Sequence, residues 1–274
     1  EPYIKEVSKE KLKVVPPDLD LDPYADEKDN KLLRSLQGFE RKETLHETKI
    51  SLEYHDELNP KLWDGARLKT EVREALLKFG YAWAKFAKIP ENIILDMIMT
   101  GGNANYNYTP KSDIDVHLVI DRNALGNNRE FVDEYLKDKK VLWTLTHDIK
   151  ILGYSLEPYA QDNTERENQG VYSLKNSRWI QFPNKGNYDW QNDLGLKRKV
   201  IFYKHLIDSI INNKMDISTV NDLKAKIRNM RSAAITKGGE FSFENLVFKE
   251  LRNRGYLDKL NKYEQTMKDK ELSL

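Results

Sequence analysis

Leu68, Val72, Leu76, Phe79, Trp83 and Phe86 recur at three- and four-residue spacing, the repeat of one buried helical stripe. The pattern predicts a helix over 65–88, with Asp64 as its N-cap and Pro90 beyond its far end. Residues 93–100 form a short apolar run that stops at Gly101-Gly102, as a buried strand does. Over 114–120, Val116, Leu118 and Ile120 alternate with more polar positions, which predicts a second strand. A helix is expected at about 128–146, with Phe131, Tyr135, Leu142 and Leu145 facing the core, and a third strand over 149–159. Residues 171–174 and 178–182 flank Lys175-Asn176-Ser177 and read as a hairpin.

From about residue 184 the strand patterns give way to helical ones. Val200, Tyr203, Leu206, Ile207, Ile210 and Ile211 make one stripe. Val220, Leu223, Ile227 and Met230 make a second, with Ser218 or Thr219 as its cap. Phe243, Leu246, Val247 and Leu251 make a third that Gly255 stops, and a charged helix from Leu257 closes the chain. Residues 1–45 differ from both parts. Pro16-Pro17, the alternation Asp18-Leu19-Asp20-Leu21-Asp22 and the run Asp26-Glu27-Lys28-Asp29 offer too little apolar surface to offset ordering. They read as a mobile acidic arm, or as one that covers a basic site or docks a partner. The expected layout is an arm over 1–45, an α+β domain over 46–183 with a mixed sheet flanked by helices, and a helical domain over 184–274.

Charge sharpens this division. The whole chain of 274 residues carries 45 Lys+Arg and 44 Asp+Glu, which excludes a polybasic histone-like binder and an acidic solvating chain. Residues 184–274, however, hold 18 Lys+Arg and 12 Asp+Glu, a net of +6, and residues 1–183 a net of −5. Cysteine is absent, so disulfides, Cys-ligated zinc and thiol chemistry are out. Mean hydropathy is −0.74, and no apolar run nears the ~20 residues of a membrane span. With no apolar leader in view, the expected location is cytoplasmic.

The chemistry concentrates in Thr100–Asp121. A buried strand runs into Gly101-Gly102, where a backbone without Cβ atoms can approach a ligand and turn its N–H groups to a phosphate. A polar loop leads to Asp113-Ile114-Asp115 at the head of the next strand. Strand period 2 sets both carboxylates on one face, and their repulsion is relieved by a divalent cation with oxygen preference.

These residues resemble the signature of the DNA polymerase β-type nucleotidyltransferase superfamily: apolar strand, Gly-Gly or Gly-Ser, a loop of about ten residues, then Asp-x-Asp inside an apolar strand. The signature covers about 22 residues, and the strand–helix order extends the likeness over roughly 66–182. The resemblance implies transfer of a nucleoside monophosphate from an NTP to a hydroxyl, with Mg²⁺ or Mn²⁺ as cofactor and pyrophosphate as product. It implies that Asp113 and Asp115 bridge the metals and that a later strand adds a third carboxylate. Glu157 is the expected one, ahead of Asp148 and Asp162. It also implies nucleotide contacts from Gly101, Gly102, Asn103, Lys111 and Ser112. Two departures stand out. Gly102 occupies a position where many members have Ser, and the loop Asn103–Tyr108 lacks the usual Arg. The triphosphate charge must then meet Lys111, or Lys197-Arg198-Lys199 and Lys204.

Other residues have plainer readings. His117 shares the face of Asp115 but reads as structural, and His55-Asp56 reads as turn chemistry. Tyr106 and Tyr108 either stack on a base or pack locally. The acceptor stays open among RNA ends, small molecules, nucleotides and proteins, and membrane partners are not expected. The competing function is a non-catalytic nucleotide-binding module that has kept the fold. A pure nucleic-acid binder would require strongly salt-dependent affinity.

Overall fold

The computed structural model describes residues 48–167 and 170–273. The arm expected over 1–45 lies outside them. The described chain divides into a sheet unit, Glu53–Tyr188, and a helical unit formed by 189–273 together with 48–52.

In the sheet unit, a small hairpin of β1 (Trp63–Asp64) and β2 (Arg67–Leu68) precedes helix α1 (Thr70–Phe86). Asp64 is therefore not the cap of α1. It pairs with Arg67 across a turn in which Gly65 has φ 55°, and Lys69 holds the N-cap position without a side-chain bond. The expected stripe is otherwise buried, with Val72, Leu76, Phe79 and Trp83 all inside. At Gly80 a Cβ would come within 2.7 Å of Met97 Sδ, so this glycine lets α1 lie close on the sheet.

The sheet itself contains β3 (Ile94–Thr100), β4 (Ile114–Ile120), β5 (Lys150–Ile151), β6 (Tyr154–Asp162), β7 (Val171–Ser173) and β8 (Arg178–Gln181), with α2 (Arg129–Thr146) between β4 and β5. The strand order is β5-β6-β4-β3-β7-β8. Only β4 and β6 run parallel, and the other neighbours are antiparallel. A parallel neighbour requires a crossover connection, and α2 lies within it. The expected strand over 149–159 is in fact a hairpin and a longer strand. Leu152 and Gly153 both have positive φ and make a two-residue turn of the kind that matches strand twist.

One face of the sheet is apolar. Met97, Met99, Val116 and Leu118 join Leu76, Phe79, Trp83, Leu136 and Trp143 in a single core. The facing of α2 differs from expectation. Val132, Leu136 and Trp143 are buried, while Phe131, Leu142 and Leu145 are exposed and Tyr135 is half-buried. Both sets of residues lie at helical spacing. Trp143 decides the orientation by packing edge-on against Phe79 and Phe86.

The helical unit comprises α3 (Leu194–Asn212), α4 (Ile217–Gly238), α5 (Phe243–Asn253) and α6 (Tyr256–Leu272). The cap of α4 is Asp216, whose carboxylate accepts the Thr219 N–H at 2.8 Å, rather than Ser218 or Thr219. Gly255, at φ 76°, separates α5 from α6. Residues 48–52 belong to this unit through Ser51, whose N–H and hydroxyl both donate to the buried carboxylate of Glu250 on α5, at 2.9 and 2.6 Å. No helix among the described residues is long and apolar enough to cross a membrane.

Candidate functional site

Strand β4 alternates cleanly. Ile114, Val116, Leu118 and Ile120 enter the core, and Asp115, His117 and Val119 are half-buried on the opposite face. Asp113 lies one residue before the strand and is half-buried. In the parallel pairing Asp115 is directly opposite Glu157, and His117 is opposite Tyr159. On the other side Thr100 pairs with Asp115, so the chain leaves β3 for Gly101-Gly102 beside the Asp115 carboxylate. The approach is close. Gly101 has φ 78°, and a Cβ there would be 1.8 Å from Asp115 Oδ2. Only glycine satisfies both the backbone angle and the neighbour. A Cβ at Gly102 would be 2.9 Å from Ser112 Oγ, so a side chain there would press on the Ser112 hydroxyl.

The loop between the glycines and β4 is fixed by amides. Asn103 is fully buried. Its Nδ2 donates to the carbonyls of Ser112 and Asp113, at 3.2 and 3.0 Å, and its Oδ1 accepts from Asn59 at 2.7 Å. It thus holds the lead into the two aspartates, and its side chain is used within the protein. Asn105 donates to the Gly101 carbonyl at 2.7 Å and accepts from the Gly170 N–H at 3.1 Å. Ser112 closes a turn with Thr109: its N–H reaches the Thr109 carbonyl and its Oγ accepts the Thr109 N–H. Lys111 is exposed at the tip of that turn. Tyr106 packs against the core, and Tyr108 stacks on His55 with ring centres 3.9 Å apart. The His55 N–H and Nε2 meet the carbonyls of Tyr106 and Tyr108, so His55 clamps the loop. Asp56 pairs with Lys185 at 2.6 Å.

Electrostatically the centre of the site is Asp115. Burial pushes its carboxyl up to about 6, and the like charges of Glu157 and Asp113 push in the same direction, against opposing pulls from His117 and Lys140. Glu157 itself meets Lys140 Nζ of α2 at 3.2 Å. Sequence reasoning missed Lys140, because a lysine on a charged helix carries no signal of what it faces. The other two candidate acids are engaged elsewhere. Asp148 is exposed and pairs with Lys150. Asp162 is buried at the end of β6, where the Thr164 hydroxyl, as the largest cause, holds its carboxyl down at about 2, with further help from Arg129. His117 meets Gln161 at 2.8 Å and lies 3.5 Å from Glu167.

Among the described residues, no group of three or more His, Asp or Glu side chains is gathered closely enough to hold a metal ion. Two carboxylates on one sheet face nevertheless suit Mg²⁺, which takes one or two carboxylates and completes its shell with phosphate and water oxygens. Of the lysines expected to meet a triphosphate from the basic half, Lys199 lies 4.0 Å from Glu244 and Lys204 3.6 Å from Asp208, both within the helical unit. No protein-family model, no curated protein and no solved structure matches this chain.

Proposed function

We propose that the chain is a nucleotidyltransferase that moves a nucleoside monophosphate from an NTP to a hydroxyl acceptor. The observation that carries this reading is the contact of Gly101 with the Asp115 carboxylate, with Glu157 in register on the adjoining parallel strand. The glycine turn that would receive phosphate and the acids that would hold the ion are neighbours in space as well as in sequence.

Asp113 and Asp115 would hold a divalent ion, and Glu157 would join them once released from Lys140. When bound, such an ion neutralises charge on the attacking and leaving oxygens. The chain's own groups do the rest. The backbone at Gly101-Gly102 would cradle the phosphates, and Lys140 and Lys111 would offset their charge. The acceptor oxygen bonds to the α-phosphorus, the α–β bridging bond breaks, and pyrophosphate leaves with the electron pair. An ionised carboxylate beside the acceptor would take the hydroxyl proton.

A binding-only reading has one specific observation in its favour, the ion pair between Lys140 and Glu157. A transfer assay separates the two. Each α-labelled NTP is supplied with Mg²⁺ or Mn²⁺ and with total RNA, protein lysate or the enzyme alone. Label should enter one acceptor class with the wild type and none with Asp113→Ala or Asp115→Ala. NTP binding without label transfer under every condition would leave the binding module as the function.

A further inference from the structure

The helical unit contains a cavity that the proposed chemistry does not use. It has a volume of about 310 Å³ and opens between α4, α5 and α6. Ile227, Phe248 and Leu260 line it together with the basic side chains of Lys224, Arg228 and Arg231. Ile227 and Leu260 are buried, and the Arg231 guanidinium lies 4.4 Å from the centre of the Phe248 ring. Lys224 is held by Glu264 of α6, whereas Arg228 is exposed. An apolar floor with a cationic rim suits an occupant that alternates apolar and acidic groups.

This chain contains such a segment. Asp18-Leu19-Asp20-Leu21-Asp22 would, in an extended form, turn both leucines to one side and three carboxylates to the other. The leucines match the floor and the carboxylates match the rim. The tether also favours it. Ser51 is bonded to Glu250 and Asn253 of α5, the helix that supplies Phe248, so the N-terminal chain joins the helical unit on the helix that borders the cavity. The 26 residue steps from Asp22 to Thr48 reach at most roughly 90 Å when extended, against a radius of gyration of about 12 Å for a unit of this size. We infer that residues 18–22 bind the groove between α4, α5 and α6 of the same chain. The inference is independent of the catalytic reading.

Photo-crosslinking in the full chain tests it. Ile235 lines the cavity and is 41% exposed, and p-benzoylphenylalanine in its place reports what lies there. The expected product is an intrachain crosslink to the peptide that contains residues 18–22. Its yield should fall at least fivefold in Arg228→Glu/Arg231→Glu and return when Asp18→Lys, Asp20→Lys and Asp22→Lys are added. Circular dichroism checks each variant, with Arg228→Gln/Arg231→Gln as replacement if the reversal unfolds. A crosslink between heavy- and light-labelled copies would assign the groove to a second chain and overturn the inference. So would a crosslink to another segment, no crosslink, or a yield insensitive to charge.

Discussion

A carboxyl held at about 6 burdens the folded protein at neutral pH, and Asp115 is in that position. In the unfolded chain it titrates near 3.8. Between those values the folded state binds the proton more tightly, so the stabilising contribution is complete below about pH 4 and is lost as pH rises through 6. The rise from 3.8 to about 6 corresponds to at most about 3 kcal/mol. Asp115→Asn should therefore abolish transfer and yet raise the denaturation midpoint of the metal-free protein at pH 7. Unchanged or lower stability at pH 7, together with an unaltered pH profile, would remove this account of Asp115. Gly101→Ala is its counterpart in the loop. The added methyl group would overlap Asp115 Oδ2 at a φ of 78°, so backbone strain of about 1–3 kcal/mol and a loss of transfer of at least tenfold are expected. Gly102→Ala meets the Ser112 side chain, with its hydroxyl at 2.9 Å and its Cβ at 3.3 Å, and should be milder on both counts. The nearness of Gly101 to Asp115 could be expected from the sequence, because two neighbouring apolar strands bracket the loop between them and Thr100 then pairs with Asp115. Asn103 could be seen there only as a polar loop residue, since nothing in its neighbours says that its amide closes onto Ser112 and Asp113.

At the level of elements, the site depends on two parallel strands in register and on one helix that reaches across to them. Strand β4 was legible to the residue, because alternation with one face buried leaves no other register. Helix α2 was legible in extent but not in facing. Two apolar stripes compete along it, and the burial of Trp143 between Phe79 and Phe86 is a tertiary fact. The same rotation gives Lys140 its contact with Glu157. Lys140 also lowers the Asp115 carboxyl against the push of burial. In Lys140→Met the carboxyl of Asp115 should rise further, so the pH window in which the metal-free protein loses stability moves upward. Guanidinium melts of the wild type and this variant at a series of pH values read the shift. Coincident profiles would show that the lysine does not act on Asp115. The β5–β6 hairpin escaped sequence reading for a different reason. Its turn begins with Leu152 at positive φ, a position where leucine gives no warning.

Over the whole molecule, the chain builds the helical unit from two distant stretches, 48–52 and 189–273, with the sheet unit between them in sequence. Hydrophobic pattern alone predicts a boundary near 184 and says nothing of the return of 48–52, because five residues carry no period. Their bond is polar. Glu250 is fully buried, and burial raises its carboxyl while the Ser51 hydroxyl and N–H draw it back down. A buried carboxylate keeps its charge only while it is hydrogen-bonded, so Ser51 sustains the ionised form. Ser51→Ala removes the 2.6 Å hydroxyl bond and leaves the N–H in place. The expected cost at pH 7 is about 1.5–3 kcal/mol, the range for a hydrogen bond to a charged group. The loss should shrink as pH falls through the raised Glu250 value, since a neutral carboxyl needs the hydroxyl less. Glu250→Gln in the Ser51→Ala background should recover part of the stability at pH 7, because no charge is then left in the interior. Tryptophan fluorescence reports on this directly, since Trp190 is buried in the same unit. If the Ser51→Ala midpoint matched the wild type at pH 7, the clasp would be ornamental, and the early chain would owe its place in the helical unit to the packing of Ile50 and Leu52.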